Sequence, residues 1–188
     1  MLGEFRRSVG GYTTSISSDL NHLLRRLMNE TLGILDEPAP LSEIVVAVTE
    51  PELTRESPDS PTLSRLLPDM SEDNDTAMEL RALTEDYLRA EKSDRIRCVL
   101  DQLEEISQAG TTKIFVHHEA VWEWLSALND MRLVLAEELH IVTDDDAERV
   151  HQRAQRGDNS RETMMSVVYE CVTWWQDSLL QAMQAGMK

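Results

Sequence analysis

The chain has 188 residues, 41% of them hydrophobic and 28% charged, enough to bury one sizeable core in a single domain spanning 1–188. Thirty-five acidic against 18 basic side chains give a formal net charge of −17, a surface that repels phosphate backbones and disfavours direct DNA or RNA binding. No apolar run approaches the length of a membrane span and the first residues lack the apolar core of a secretory signal, so a cytoplasmic protein with no membrane association is expected.

In chain order, Phe5 to Ile16 carries a Gly10-Gly11 pair between short segments, with Tyr12, Thr14 and Ile16 alternating, which predicts a β-hairpin. Ser17 or Ser18 caps a helix to about Leu35, whose inner stripe is Leu20, Leu23, Leu24, Leu27, Met28, Thr31 and Leu35. Pro38 and Pro40 end it. A short helix follows at 42–48, where Ser42-Glu43 as a helix start competes with the strand preference of Ile44, Val45 and Val46. An exposed acidic loop spans about 49–61, and Leu63, Leu66 and Leu67 then form one apolar turn between Pro61 and Pro68 that should dock on the core.

Asp73 to Asp75 cap a long helix to about Ser107, with Met78, Leu83, Tyr87, Leu88, Ile96, Val99, Leu100, Leu103 and Ile106 inward and the polar stretch 91–95 as a kink or a solvated turn. Gly110 stops it. Lys113 to Val116 is a strand, expected to pair with the N-terminal hairpin.

The helix from Val121 to Ile141 is the centre of the predicted fold. Glu123, Ser126, Asp130 and Glu137 make one polar stripe, with Asp130 expected in solvent, while Trp122, Trp124, Leu125, Leu128, Met131, Leu133, Leu135 and Leu139 fill the remaining circumference. Arg132 stands among the apolar positions. A guanidinium there requires a buried acid or a ring of carbonyls, with Asn129 beside it. Two readings stand: a structural tie between elements, or an anion clamp for a carboxylate or phosphate in a small-ligand-binding domain or enzyme.

Residues 143–157 read as a capped polar helix ended by Gly157, with the acids at 144–146 as its capping cluster. Asn159 or Ser160 starts a last helix whose stripe is Met164, Val168, Cys171, Val172, Trp175, Leu179 and Met183 and which should lie on the central helix. Trp174 and Trp175 are adjacent, so one of them faces away from whatever the other packs on. With Met164, Met165, Met183 and Met187 they form either a wide core face or a protein interface, a homodimer contact included.

The fold class is therefore mainly α: a single helical domain around a buried central helix, with a small antiparallel β-sheet from the N-terminal hairpin and the strand near 113–116. GxSxG, GxGxxG, the phosphate-binding GxxxxGK[ST] and CxxC are all absent, so no catalytic residue is assigned and an enzyme is not expected. His117, His118 and Glu119 with His140 or His151 lack the spacing of a metal set, and neither metal nor cofactor is expected. Arg149, Arg153 and Arg156 would have to dominate one face for the chain to bind DNA. Cys98 and Cys171 read as small buried hydrophobes or as a candidate redox pair.

Three stretches in order, PTLSRLLPD at 61–69, WEWLSALNDMRLVLAEELHI at 122–141 and VYECVTWWQDSLLQAM at 168–183, resemble an actinobacterial family of uncharacterised proteins described as a domain of unknown function. Its members are often encoded beside the Clp protease adaptor, and some are described as oxidative-stress-responsive transcriptional regulators. The resemblance implies a cytosolic, mainly helical, non-enzymatic regulatory or interaction protein. A redox-responsive transcriptional regulator would need Cys98 and Cys171, 73 positions apart, brought together by the fold. The acidic surface favours a basic protein partner, such as a component of the transcription or stress machinery.

Overall fold

The computed structural model of the protein describes residues 2–35, 53–158 and 160–185. The short helix expected at 42–48, the prolines at 38 and 40 and the first part of the acidic loop lie outside these residues; 53–60 of that loop has no regular structure. Strands β1 (Arg6–Ser8) and β2 (Gly11–Ser15) form the expected hairpin, and β3 (Lys113–His117) adds antiparallel to β2, giving the order β1-β2-β3. Two glycines make the corner. Gly10 adopts a φ of 80°, open to glycine at no steric cost, and a Cβ on Gly11 would collide with the Val116 carbonyl oxygen. Alternation then divides the sheet, with Tyr12, Thr14, Ile114 and Val116 buried and Lys113, Phe115 and His117 exposed.

Six α-helices occur among the described residues: α1 (Ser18–Leu35), α2 (Pro61–Leu66), α3 (Asn74–Gln108), α4 (Val121–Glu138), α5 (Asp144–Ala154) and α6 (Arg161–Gln184). Four of their starts follow side-chain chemistry. Ser60, Asp73, Thr143 and Ser160 each accept a backbone N–H of the first turn, and at α5 Asp146 returns the bond to Thr143. A 3-10 turn, His118–Ala120, leads from β3 into α4.

Helix α4 lies in the middle, packed on α1, α2, α3 and α6. Trp124 and Leu128 are fully buried and Met131 is 1% exposed. Trp124, Trp175 of α6 and Phe5 meet edge-on or tilted at ring-centroid distances of 5.1–6.1 Å, joining the sheet to both helices. Both indoles are satisfied: Trp124 Nε1 donates to Gln102 Oε1 at 2.9 Å, and Trp175 Nε1 to the Gly3 carbonyl at 3.1 Å and Thr14 Oγ1 at 3.2 Å. Leu63, Leu66 and Leu67 dock on the core as expected.

Four residues assigned inward are exposed: Leu83, Tyr87, Trp122 and Met164. Trp122 falls roughly half a turn of rotation from the stripe Val121, Trp124, Leu128, Met131, Leu135. The first turns of α3 turn inward the small Ala77 and the charged Arg81 and Glu85 rather than large apolar residues, which leaves Leu83 and Tyr87 on the outer side. Arg81 Nη1 donates to Glu85 Oε2 at 2.8 Å, and its Nη2 to the Leu67 carbonyl and Asp69 Oδ1 at 3.0 and 2.7 Å. Arg89 then joins Glu85 to the last carbonyl of α1, at Leu35. This network ties α1, α2 and α3 together with charge satisfied at both ends.

Candidate functional site

The polar stripe of α4 faces other helices rather than water. Asp130, expected in solvent, is 1% exposed, with its Oδ1 2.6 Å from Lys92 Nζ of α3. Its Oδ2 has no hydrogen-bond partner among the described residues. Burial is the largest influence on this carboxyl and pushes its pKa up, against the pull of Lys92. The stretch 91–95 is not a solvated turn: helix α3 runs through it, Ser93 is buried, and Lys92 meets the stripe there. Two turns further along α4, Glu137 pairs with Arg65 of α2 at 3.3 Å, and Arg65 also donates to the Ile141 carbonyl.

Arg132 does not have the expected acid. It is half-buried at the margin of the apolar stripe, and its Nη2 donates to Asn129 Oδ1 at 3.1 Å, one turn earlier; among the described residues no carboxylate pairs with it. The two cysteines are free and half-buried, on α3 and α6. Burial is the first cause raising both thiols, the reverse of the shift that makes a cysteine reactive; Gln102 donates to Cys98 Sγ at 3.7 Å. Among the described residues, no three His, Cys, Asp or Glu side chains gather as metal ligands.

The tryptophan pair is split as adjacency on a helix requires: Trp175 is buried completely and Trp174 is 45% exposed. Trp174 lines an open groove of about 550 Å³ between α5 and α6, with Leu2, Ala154, Val167 and Cys171 as apolar walls. No methionine among the described residues lines it; Met187 lies outside them. Its polar wall is a bonded trio. His151 Nδ1 lies 2.9 Å from Glu170 Oε2, and Gln155 Nε2 lies 2.7 Å from His151 Nε2. The Glu170 carboxylate holds the His151 pKa above its ordinary value of 6.5. With neutral imidazole, Nδ1–H donates to Glu170 and Nε2 accepts from Gln155; a second proton requires the amide turned to present its oxygen. The Cys171 thiol on the same wall is pushed up, so the groove offers a His–Glu pair without an activated nucleophile.

Residues 2–183 match the family model described as Domain of unknown function (DUF2017). The chain belongs to this family. No curated protein and no solved structure matches it. Two features of this DUF2017 chain escape a reading of the sequence, the Lys92–Asp130 pair and the His151–Glu170 pair. The members of each lie on different helices, and the only local signal is the charged 91–95 stretch interrupting an apolar repeat. No described helix of the DUF2017 chain is long and apolar enough to cross a membrane.

Proposed function

We propose that this DUF2017 chain is a non-enzymatic interaction protein and that the groove at Trp174 is the surface a protein partner contacts. The carrying observation is the half-exposed indole set in an open, mostly apolar groove with a hydrogen-bonded polar wall. That composition suits a buried aromatic anchor ringed by polar contacts. A regulatory role, in transcription or stress response, follows only through the identity of that partner. The arginines of α5 do not favour nucleic acid, since Arg149 is held by Asp146 and Arg153 lies 3.8 Å from Glu162. Raised thiol pKa values likewise speak against a redox-driven regulator built on Cys98 and Cys171.

The test places a photo-crosslinking amino acid at Val167, on the groove, and in a second protein at Leu83, on α3. A partner captured from Val167 alone is then purified and titrated against the parent and Trp174→Ala. Loss of an anchor of this kind weakens binding by about tenfold or more. Equal affinity of the two proteins, or identical capture from both positions, removes the groove from the proposal.

A second reading rests on Arg132, a half-buried guanidinium with an amide and, among the described residues, no paired carboxylate, which suits a small anion. Saturable phosphate or carboxylate binding that Arg132→Gln abolishes would support it; calorimetry without heat at millimolar ligand would dismiss it.

A further inference from the structure

The sheet ends on β3, and the parity of its ladder can be read from two bonds. Ile16 N donates to the Thr112 carbonyl and His118 N to the Gly10 carbonyl, so in this register the main-chain groups of 112, 114, 116 and 118 point at β2. Those of 113, 115 and 117 point the other way. Thr111 Oγ1 accepts from Lys113 N, and the His117 carbonyl is taken by the 3-10 turn 118–120 that it caps; no hydrogen bond among the described residues takes the N–H or carbonyl of Phe115 or the N–H of His117. The side chains of these same three residues, Lys113, Phe115 and His117, stand on the exposed face of the sheet. Phe115 is 39% exposed, its ring lying over Gly11 with His117 edge-on at 4.7 Å. Arg6, in register with Thr13 and thus with Phe115, completes the row. Arg6 is paired with Glu4 at 2.6 Å, so on a chain of net charge −17 the positive charge of this face rests on the exposed Lys113.

We infer that the outer edge of β3 takes up an extended acidic peptide as a fourth, antiparallel strand. Its central residue exchanges both main-chain hydrogen bonds with Phe115, and the residues two before and two after stand opposite His117 and Lys113. The side chains that suit those places are an apolar one at the centre and a carboxylate on either side, an acid-x-apolar-x-acid pattern. Charge decides against a second copy of the chain: two-fold pairing about Phe115 would set Lys113 against His117 twice. It would also bring two strongly acidic bodies together. The other edge, β1, offers three residues only.

The probe is a fluorescein-labelled peptide containing Glu-Thr-Val-Thr-Glu, titrated by anisotropy against the whole chain. Saturable binding is expected, about tenfold weaker for Lys113→Glu or for a peptide with lysines in place of the glutamates. Methylating the amide nitrogen of the peptide's valine, which removes the bond to the Phe115 carbonyl, should abolish binding. No saturation at millimolar protein, or equal binding of the methylated peptide, overturns the inference. So does a parent that ignores the peptide while Lys113→Thr self-associates, because Lys113 would then serve to guard the edge. Preferential binding of a single-stranded oligonucleotide to the same face would also overturn it. Because Lys113 is exposed, its variants should fold, which circular dichroism checks.

Discussion

Lys92 and Asp130 make an unequal pair. The amine is 19% exposed and can swing its head toward water on a flexible stem, whereas the carboxylate is 1% exposed and has nowhere to go. Lys92→Met therefore strands a buried charge and should cost about 3–5 kcal/mol at neutral pH, more than Asp130→Asn. The sign of the pH effect follows from the raised Asp130 pKa. The native state holds this proton more tightly than the unfolded state, so stability declines as pH rises from the ordinary 3.8 through the folded value. The Lys92→Met deficit should shrink as pH falls, and urea unfolding across that range measures it. His151 runs by the same rule with the opposite charge. Protonated and paired with Glu170, it contributes stability that is complete below 6.5 and is lost as pH rises through its higher folded pKa. Glu170→Gln should bring the His151 titration, followed by NMR, back toward 6.5. At this scale the sequence was a poor guide. Arg132 stood out by its apolar neighbours, yet the buried charge is Asp130, because burial on a central helix depends on which other helix lies alongside.

Helix boundaries were far more legible, since caps are local chemistry: Asp73, Thr143 and Ser160 announce their helices within four residues, whereas the Ser60 cap turned an expected apolar turn into a short helix. The end of α4 is the exception. There His140 takes a φ of 54°, with its N–H bonded to the Glu137 carbonyl and Ile141 N–H to that of Ala136, a left-handed closure that usually falls to glycine. His140→Gly should therefore gain about 0.5–1 kcal/mol in thermal or urea unfolding, the relief of the left-handed penalty less the added freedom of the unfolded chain. Facing was legible only where apolar residues set it, as in α1. In the first turns of α3 the ion network around Arg81 and Glu85 sets it instead, and neither the period nor the propensity of Leu83 and Tyr87 carries that information.

Across the molecule, the mainly helical class, the central position of α4 and the pairing of β3 with the hairpin could all be read from period and turn chemistry. Function could not, because no stretch holds a reactive constellation and the groove at Trp174 is assembled from both ends of the chain. The charge of −17 has a consequence at this scale. Self-repulsion opposes the compact state, so raising salt from about 10 mM to about 150 mM, which shortens the screening length from about 30 to about 8 Å, should raise the melting temperature. A fall would mean that the ion pairs of α3 outweigh the repulsion. The indole bond from Trp175 to Gly3, joined by that from Phe5 N to Ser178 Oγ at 3.2 Å, also bears on biosynthesis. At about 5–20 residues per second, a ribosome needs roughly 10–35 seconds to travel between those positions. Throughout that interval Phe5 waits without the aromatic ring that closes over it, and Trp124 waits from its own synthesis onward. The hairpin is the first piece made and among the last to be locked, and a nascent chain stalled before α6 would present that unfinished aromatic surface to chaperones and proteases.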